Sequence, residues 1–378
     1  MKSTAIICEY NPFHNGHLHH LNETKKLNKD NIIILVLSGN FLQRGQMCIL
    51  DKWTKTKLAL EYRIDLVIEL PFIFASQSAD IFAKGFIELC NHLKVDNIVF
   101  GSESNNVEDL KKLANIQLND KDYDIKIKEY LDKGINYPTA LSKALNDIST
   151  SCVSSPNDLL GLSYIREIIK QKSNIIPITI KRTNDYHDKE AKSKLSSATS
   201  IRKLLDDNKS IKEFVPLKTY NYLKNYKDYS NEYFKLLKYK IISEGTNIKN
   251  YQTVDEGIEN RILKYINISN NIEELINYIK TKRYTYNKLS RMFTHILCNF
   301  TKEEATNNKD IKYIRILGFN DKGKKYLSTI KKELEIPLIT NMNKDISKLL
   351  EIELRIDSIY YQITNSNSKL FQNKPYTK

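Results

Sequence analysis

Five short runs of aliphatic and β-branched residues constrain the fold of this chain more than any other feature: STAIICEY (3–10), NIIILVLS (31–38), IDLVIELP (64–71), VDNIVFGS (95–102) and NIIPITIKR (174–182). Each is continuously apolar rather than alternating, the pattern of a strand buried on both faces. Between them lie stretches with helical spacing, GHLHHLNETKKLN, DKWTKTKLALEYR and FASQSADIFAKGFIELCNHL. Strand and helix alternate, so the spacing predicts an α/β fold built on a doubly wound parallel sheet. SPNDLLGLSYIREIIKQ reads as a further helix that starts near Ser155 or Asn157, and SSATSIRKLLDD as another helix entry after a polar loop.

Beyond about residue 211 the strand signals fade. NRILKYINI, IEELINYIKT and KLSRMFTHILCNF have helical spacing, and YIRILGF (313–319) is a lone strand candidate. A chain of 378 residues exceeds the usual size of one core. The expected division is therefore an α/β domain over 1–210 and a mainly helical domain over 211–378. No apolar run is long enough to cross a bilayer as a helix, and the N-terminus lacks the pattern of a secretory signal. Cys8, Cys48, Cys90, Cys152 and Cys298 are scattered, odd in number and without CxxC spacing, which points to reduced thiols in the cytoplasm.

The segment CEYNPFHNGHLHH (8–20) follows the first strand and holds four of the seven histidines. Asn11-Pro12 stops the strand, because proline donates no ladder hydrogen bond and biases its predecessor away from helix. His14-Asn15-Gly16-His17 then opens a helix. In an open parallel sheet, ligands bind beyond the carboxyl end of such a strand, and the next helix offers free N–H groups to an anion. Gly16 admits a ligand close to the backbone. His14 and His17, three apart, share a helix face. Metal binding and plain surface polarity compete with this reading. No nearby cysteine or HxH on a second strand completes a ligand set, and a zinc pair on a helix is usually spaced i, i+4, so no metal site is expected. Positioning and charge stabilisation at a phosphate suit the pair better.

HxGH after a Rossmann-like first strand resembles the signature of the nucleotidyltransferase superfamily that includes class I aminoacyl-tRNA synthetases. SSATSIR (196–202) resembles the ISSTxIR loop of its adenylyltransferases, departing at Ala198. With SGNFLQRGQ (38–46), FGSES (100–104), SSPNDLLGLSYI (154–165) and IRILGFNDKGKKYL (314–327), the chain resembles the bacterial tRNA(Met) cytidine acetate ligase family over nearly its whole length. The resemblance implies ATP-dependent acetylation of the wobble cytidine of elongator tRNA(Met) to N4-acetylcytidine, through an acetyl-adenylate with release of pyrophosphate. It implies acetate as co-substrate and Mg²⁺ carried with the ATP phosphates. Nothing in the sequence points to a membrane or to a protein partner. The alternative is a small-molecule adenylyltransferase acting on a mononucleotide or phosphopantetheine, which a long helical extension does not suit. A catalytically silent RNA-binding protein would leave the intact HxGH unexplained.

By the same resemblance, ATP binds along Ile7, Cys8, Glu9, Tyr10, Asn11, Pro12, Phe13, His14, Asn15, Gly16, His17, Leu18, His19 and His20, joined by Gly101, Asn157 and Arg182. His14 and His17 are the expected catalytic residues. Ser197, Thr199 and Arg202 are expected to hold phosphate. Asn40, Gln43 and Arg44 are placed on the substrate side, Asp51-Lys52 at a capped, solvated helix start, and Cys8 in the core rather than as a nucleophile. The net charge of +14 favours a polyanionic partner. Residues 281–332 hold 13 Lys+Arg against 4 Asp+Glu, while the remainder of 241–378 is slightly acidic. Within that cluster Lys282, Arg283, Lys288 and Arg291 interleave with Tyr284 and Tyr286, so this stretch is the expected tRNA surface, with cations on phosphates and tyrosines on unpaired bases.

Overall fold

A computed structural model describes the chain except for residues 28, 150–152, 154, 183–195 and 367–373, so Cys152 and most of KRTNDYHDK lie outside the described residues. The five apolar runs form β1 (Ser3–Cys8), β2 (Ile32–Ser38), β3 (Leu66–Leu70), β4 (Asn97–Ser102) and β5 (Ile176–Lys181). They are mutually parallel in the order β5-β4-β1-β2-β3. Connections run one way from β1 through β2 to β3 and the other way through β4 to β5, which puts the topological switch point between β1 and β4. The side chains explain the two-faced burial. Ile33, Leu35 and Leu37 of β2 join one core, and Ile32, Ile34 and Val36 the other.

The YIRILGF strand exists as β6 (Ile314–Phe319), but it belongs to the same sheet. It pairs antiparallel with β3, and β7 (Leu338–Ile339) and β8 (Tyr376–Thr377) pair with it in turn. The chain beyond residue 211 therefore leaves the sheet, builds helices between Leu217 and Asn307, and returns. Those helices pack on one face of the sheet: Phe234, Leu237, Ile262, Ile276 and Phe293 share a core with Ile6, Leu35 and Val67. A buried ionic cluster fixes the return. Lys52 Nζ lies 2.6 Å from Glu69 of β3 and 2.6 Å from Asp357, and Arg315 of β6 lies 3.0 Å from Glu69. Lys52 is thus wholly buried, not a solvated helix start, although Asp51 does cap that helix by accepting the N–H bonds of Trp53 and Thr54. Arg315, one cation of the 281–332 cluster, is likewise buried.

Local helix boundaries fall at the expected serines, though of the two only Ser197 makes a side-chain cap bond. The Pro156–Lys170 helix starts at Ser155, and the Ala198–Asp206 helix at Ser197, whose side chain accepts from the Ser200 N–H. The stretch from Phe74 to Leu93, read as one helix, is broken into Phe72–Ala75 and Ala79–His92. Three helices that periodicity does not single out fill the β4–β5 crossover, Val107–Asn119, Lys121–Asp132 and Tyr137–Ile148. Asn106, Asp120 and Asn136 cap them through side-chain oxygens. That Asx-before-helix pattern is readable in the sequence.

Candidate active site

Beyond the carboxyl ends of β1 and β4 lies a cleft of about 350 Å³, at the switch point where open α/β sheets hold their ligands. β1 ends at Cys8, and the chain turns through Tyr10, held at φ 48°, and Asn11-Pro12 before the Asn15–Leu27 helix begins. Of the expected nucleotide segment, Ile7, Cys8, Glu9, His14, Gly16, His17, His19 and His20 line the cleft. Tyr10, Asn11, Pro12 and Phe13 lie buried beneath it. Asn15 turns away, its side chain donating to the Glu213 carbonyl, and Leu18 packs into the core. These six shape the loop and do not line the cleft.

His14 is the N-cap of its helix. Its Nδ1 accepts the main-chain N–H of Gly16 at 3.0 Å and of His17 at 3.3 Å, which places the ring proton on Nε2. The His17 ring stacks on it with centroids 3.8 Å apart. Burial, reinforced by Arg182 and Arg202, holds the His14 pKa down near 3. Burial also pushes His17 well below the usual range, with His14, His20 and Arg182 adding to the effect and the Pro12 carbonyl opposing it. His20 falls to about 4, first by burial and then through Arg182. These three histidines are therefore neutral near pH 7, and His14 offers an N–H donor rather than a fixed charge. Burial lifts the Cys8 thiol to about 12, which suits a structural residue and not a nucleophile.

Cations complete the cleft. Arg202 donates to the Asn11 carbonyl at 2.7 Å and to Gln46 Oε1 at 3.2 Å, so the SSATSIR helix is clamped onto the HxGH loop. Ser197, Thr199 and Arg182 line the same space. A Cβ on Gly101 would meet the Arg182 side chain at 3.2 Å. Asn157 lines the wall with its amide donated to Glu103 at 2.5 Å. Two residues that support this wall from behind escape a reading of the sequence. Asp158 is buried and accepts from Ser102, Ser104 and Ser155, holding the FGSES loop, and Glu103 accepts from both Asn157 and the Asp158 N–H. The Ser155-x-x-Asp158 spacing is a capping pattern and is the available signal.

Gln43 and Arg44 line the cleft, but Asn40 does not; it is buried, bonded to Asp357 and to the Lys52 N–H. The Gln43–Gln46 turn touches the Tyr286–Leu297 helix so closely that a Cβ on Gly45 would collide with the Arg291 main-chain nitrogen. The four expected tRNA cations stand outside the cleft. Lys282 is exposed, Arg283 pairs with Glu256 at 3.2 Å, and Lys288 lies over the Tyr284 ring at 4.0 Å. Arg291 is half-buried, and desolvation with Arg44 nearby lowers its pKa to about 10, so it stays cationic. Tyr286 is exposed. Tyr284 is not: it is 5% accessible and its hydroxyl donates to the Asp255 carbonyl, so it supports Lys288 rather than stacking on a base. Among the described residues no group of three or more His, Cys, Asp or Glu could hold a metal ion, and no helix is long and apolar enough to cross a membrane.

A parallel sheet with stacked HxGH histidines at its switch point and an arginine-bearing helix start above them defines a HIGH nucleotidyltransferase. The model of the HIGH Nucleotidyl Transferase family matches residues 1–374. The chain belongs, within that class, to the tRNA(Met) cytidine acetate ligase family. It is 40% identical to the tRNA(Met) cytidine acetate ligase of Clostridium novyi (strain NT), with 97% of each chain covered. It is also 40% identical to that of Geobacillus sp. (strain WCH70), over 96% of this chain and 92% of the other. The fold is similar to that of Thermotoga maritima TmcAL in its apo form, with TM-score 0.91, 30% identity and coverage of 100% and 99%. It is similar also to the same protein bound with alpha-thio ATP, with TM-score 0.88 and 28% identity, at the same coverage.

Proposed function

We propose that this chain is an ATP-dependent ligase that acetylates the wobble cytidine of elongator tRNA(Met). The observation that carries the reading is the meeting of His14, His17, Arg182 and Arg202 in one cleft, in a chain of this family. ATP lies with its phosphates between the Asn15–Leu27 helix start and the Ser197–Arg202 turn, and the adenosine end lies toward Gly101 and Asn157. Mg²⁺ bound with the ATP phosphates would supply charge neutralisation there. An acetate oxygen attacks the α-phosphorus, pyrophosphate leaves, and acetyl-adenylate forms. The cytosine amine then attacks the acetyl carbon and AMP leaves.

His14 Nε2–H and the His17 ring face the phosphate where charge grows in the transition state, and Arg202 opposes the departing pyrophosphate. Residues 1–210 carry adenylation in this reading. Residues 211–378 carry tRNA, with Lys282, Arg283, Lys288 and Arg291 set against its phosphates. A small-molecule adenylyltransferase gives no role to that cationic helix. The deciding experiment is exchange of labelled pyrophosphate into ATP. It should require acetate, and exchange driven by a mononucleotide or phosphopantetheine instead would overturn the reading. Nucleoside analysis of tRNA from cells lacking the protein should show N4-acetylcytidine missing.

A further inference from the structure

The second step of the proposed reaction needs a proton acceptor. The exocyclic amine of cytosine is a weak nucleophile, because its lone pair is delocalised into the ring, so its attack is assisted by removal of an N–H proton. His14 and His17 are poorly placed for that task, since the Nδ1 of each already accepts main-chain N–H bonds, and burial opposes the protonation of His17 and His20. Lys181, Arg44, Arg182 and Arg202 are donors only. Glu9 is the one carboxylate among the described residues that line the cleft.

Its placement is defined from three sides. Glu9 directly follows the last residue of β1 at the switch point. Its main-chain carbonyl accepts from the buried Lys55 ammonium at 3.0 Å, and that ammonium also holds the Ser38 and Gly39 carbonyls at the end of β2. Its Oε1 accepts the Gln43 N–H at 2.8 Å. Gln43 begins the turn whose Gly45 carbonyl accepts from Thr294 on the cationic Tyr286–Leu297 helix. Glu9 therefore stands one hydrogen bond from the loop that joins the ATP cleft to the tRNA-facing helix.

We propose that Glu9 is the general base of acetyl transfer, taking the N4 proton of the target cytosine as that nitrogen attacks the acetyl carbon. The N–C bond forms and the C–O bond between acetyl and AMP breaks. AMP leaves with the electron pair as its phosphate anion, and the proton passes to the Glu9 carboxylate and then to solvent. The inference rests on the function proposed above and assigns a residue to its second step.

The test separates the two steps in Glu9→Gln, with Glu9→Asp as the variant that keeps a carboxylate. Acetate-dependent pyrophosphate exchange reports adenylation. Single-turnover acetylation of tRNA(Met) from preformed acetyl-adenylate reports transfer, and hydroxylamine, which needs no base, traps the same intermediate as acetohydroxamate. Transfer by Glu9→Gln should fall by about 100-fold or more, the usual range for loss of a general base, and far more than exchange or trapping. The acid limb of the transfer rate against pH should vanish in Glu9→Gln and persist in Glu9→Asp. Equal losses in exchange and transfer, or a raised Mg²⁺ requirement for exchange, would place Glu9 on ATP and overturn the assignment. Transfer at the wild-type rate would overturn it too. Absence of acetate-dependent exchange in the wild-type protein would instead overturn the reaction itself.

Discussion

The Gly45 carbonyl oxygen accepts a 2.6 Å hydrogen bond from Thr294 Oγ1, which ties a turn that lines the cleft to the helix that bears Lys288 and Arg291. Gly45 holds φ +73°, and a Cβ there would run into the main chain of Ser290 and Arg291. Gly45→Ala should therefore strain the turn and separate the helix. A stability loss of about 2 kcal/mol is expected in denaturant unfolding, with tRNA acetylation reduced beyond what the remaining folded fraction explains.

His17→Ala should reduce kcat for acetylation by about 100- to 1,000-fold with little change in the ATP dissociation constant, the signature of a donor used in the transition state. Rapid-quench rates beside ATP titrations measure the two. Equal loss in both would mean that His17 only holds ground-state ATP.

His14 has two duties that substitution can separate. Its Nδ1 caps the helix and its Nε2–H faces the cleft. His14→Ala should lose both stability, by about 1 kcal/mol, and rate. His14→Asn, whose side-chain oxygen can accept the same amide bonds, should recover most of the stability and none of the rate.

Lys52→Met should cost about 3–5 kcal/mol, because Glu69 and Asp357 would keep their burial and lose an ammonium 2.6 Å from each. Thermal unfolding checks this. An unchanged Tm would mean that Arg315 alone balances both carboxylates.

His295 is wholly buried, with Nε2 2.8 Å from the Ser76 carbonyl, and burial holds its pKa at about 4 against an ordinary 6.5. Between those values the unfolded chain binds the proton and the folded one does not. Its contribution to stability is thus complete above pH 6.5 and is lost as pH falls toward 4, by about 3 kcal/mol in all. His295→Gln should flatten the unfolding free energy across that window. A slope unchanged in the variant would assign the acid sensitivity to other groups.

Replacing Lys282, Arg283 and Lys288 with Glu should weaken tRNA binding and flatten its salt dependence. The slope of log affinity against log salt should shrink by roughly 0.7–0.9 for each phosphate that the variant no longer neutralises. Filter binding across a salt series measures this. An unchanged slope in a folded variant would move the tRNA surface to the Gln43–Gln46 side.

The sequence by itself determined the parallel sheet and the end of β1 at which the histidines stand. Runs such as NIIILVLS are apolar on both faces, so they must be covered on both, and Asn11-Pro12 must end β1 where the histidines follow. HxGH and SSATSIR were legible because a helix start and an anion demand local residue types. Only the tertiary structure decided what depends on the meeting of distant segments. Lys52 reads as a solvated helix residue until Glu69 and Asp357, 17 and 305 positions away, surround it. Asn40 reads as a cleft residue until Asp357 takes its amide, and Tyr284 as a stacking platform until the Asp255 carbonyl takes its hydroxyl. The return of Ile314–Phe319 to β3 was equally hidden, because antiparallel addition to a sheet edge leaves no mark in the spacing of the strand that adds. A charged or aromatic side chain carries its chemistry in its own residue type. Whether that chemistry faces solvent, a ligand or a buried partner is set by what the rest of the chain packs against it.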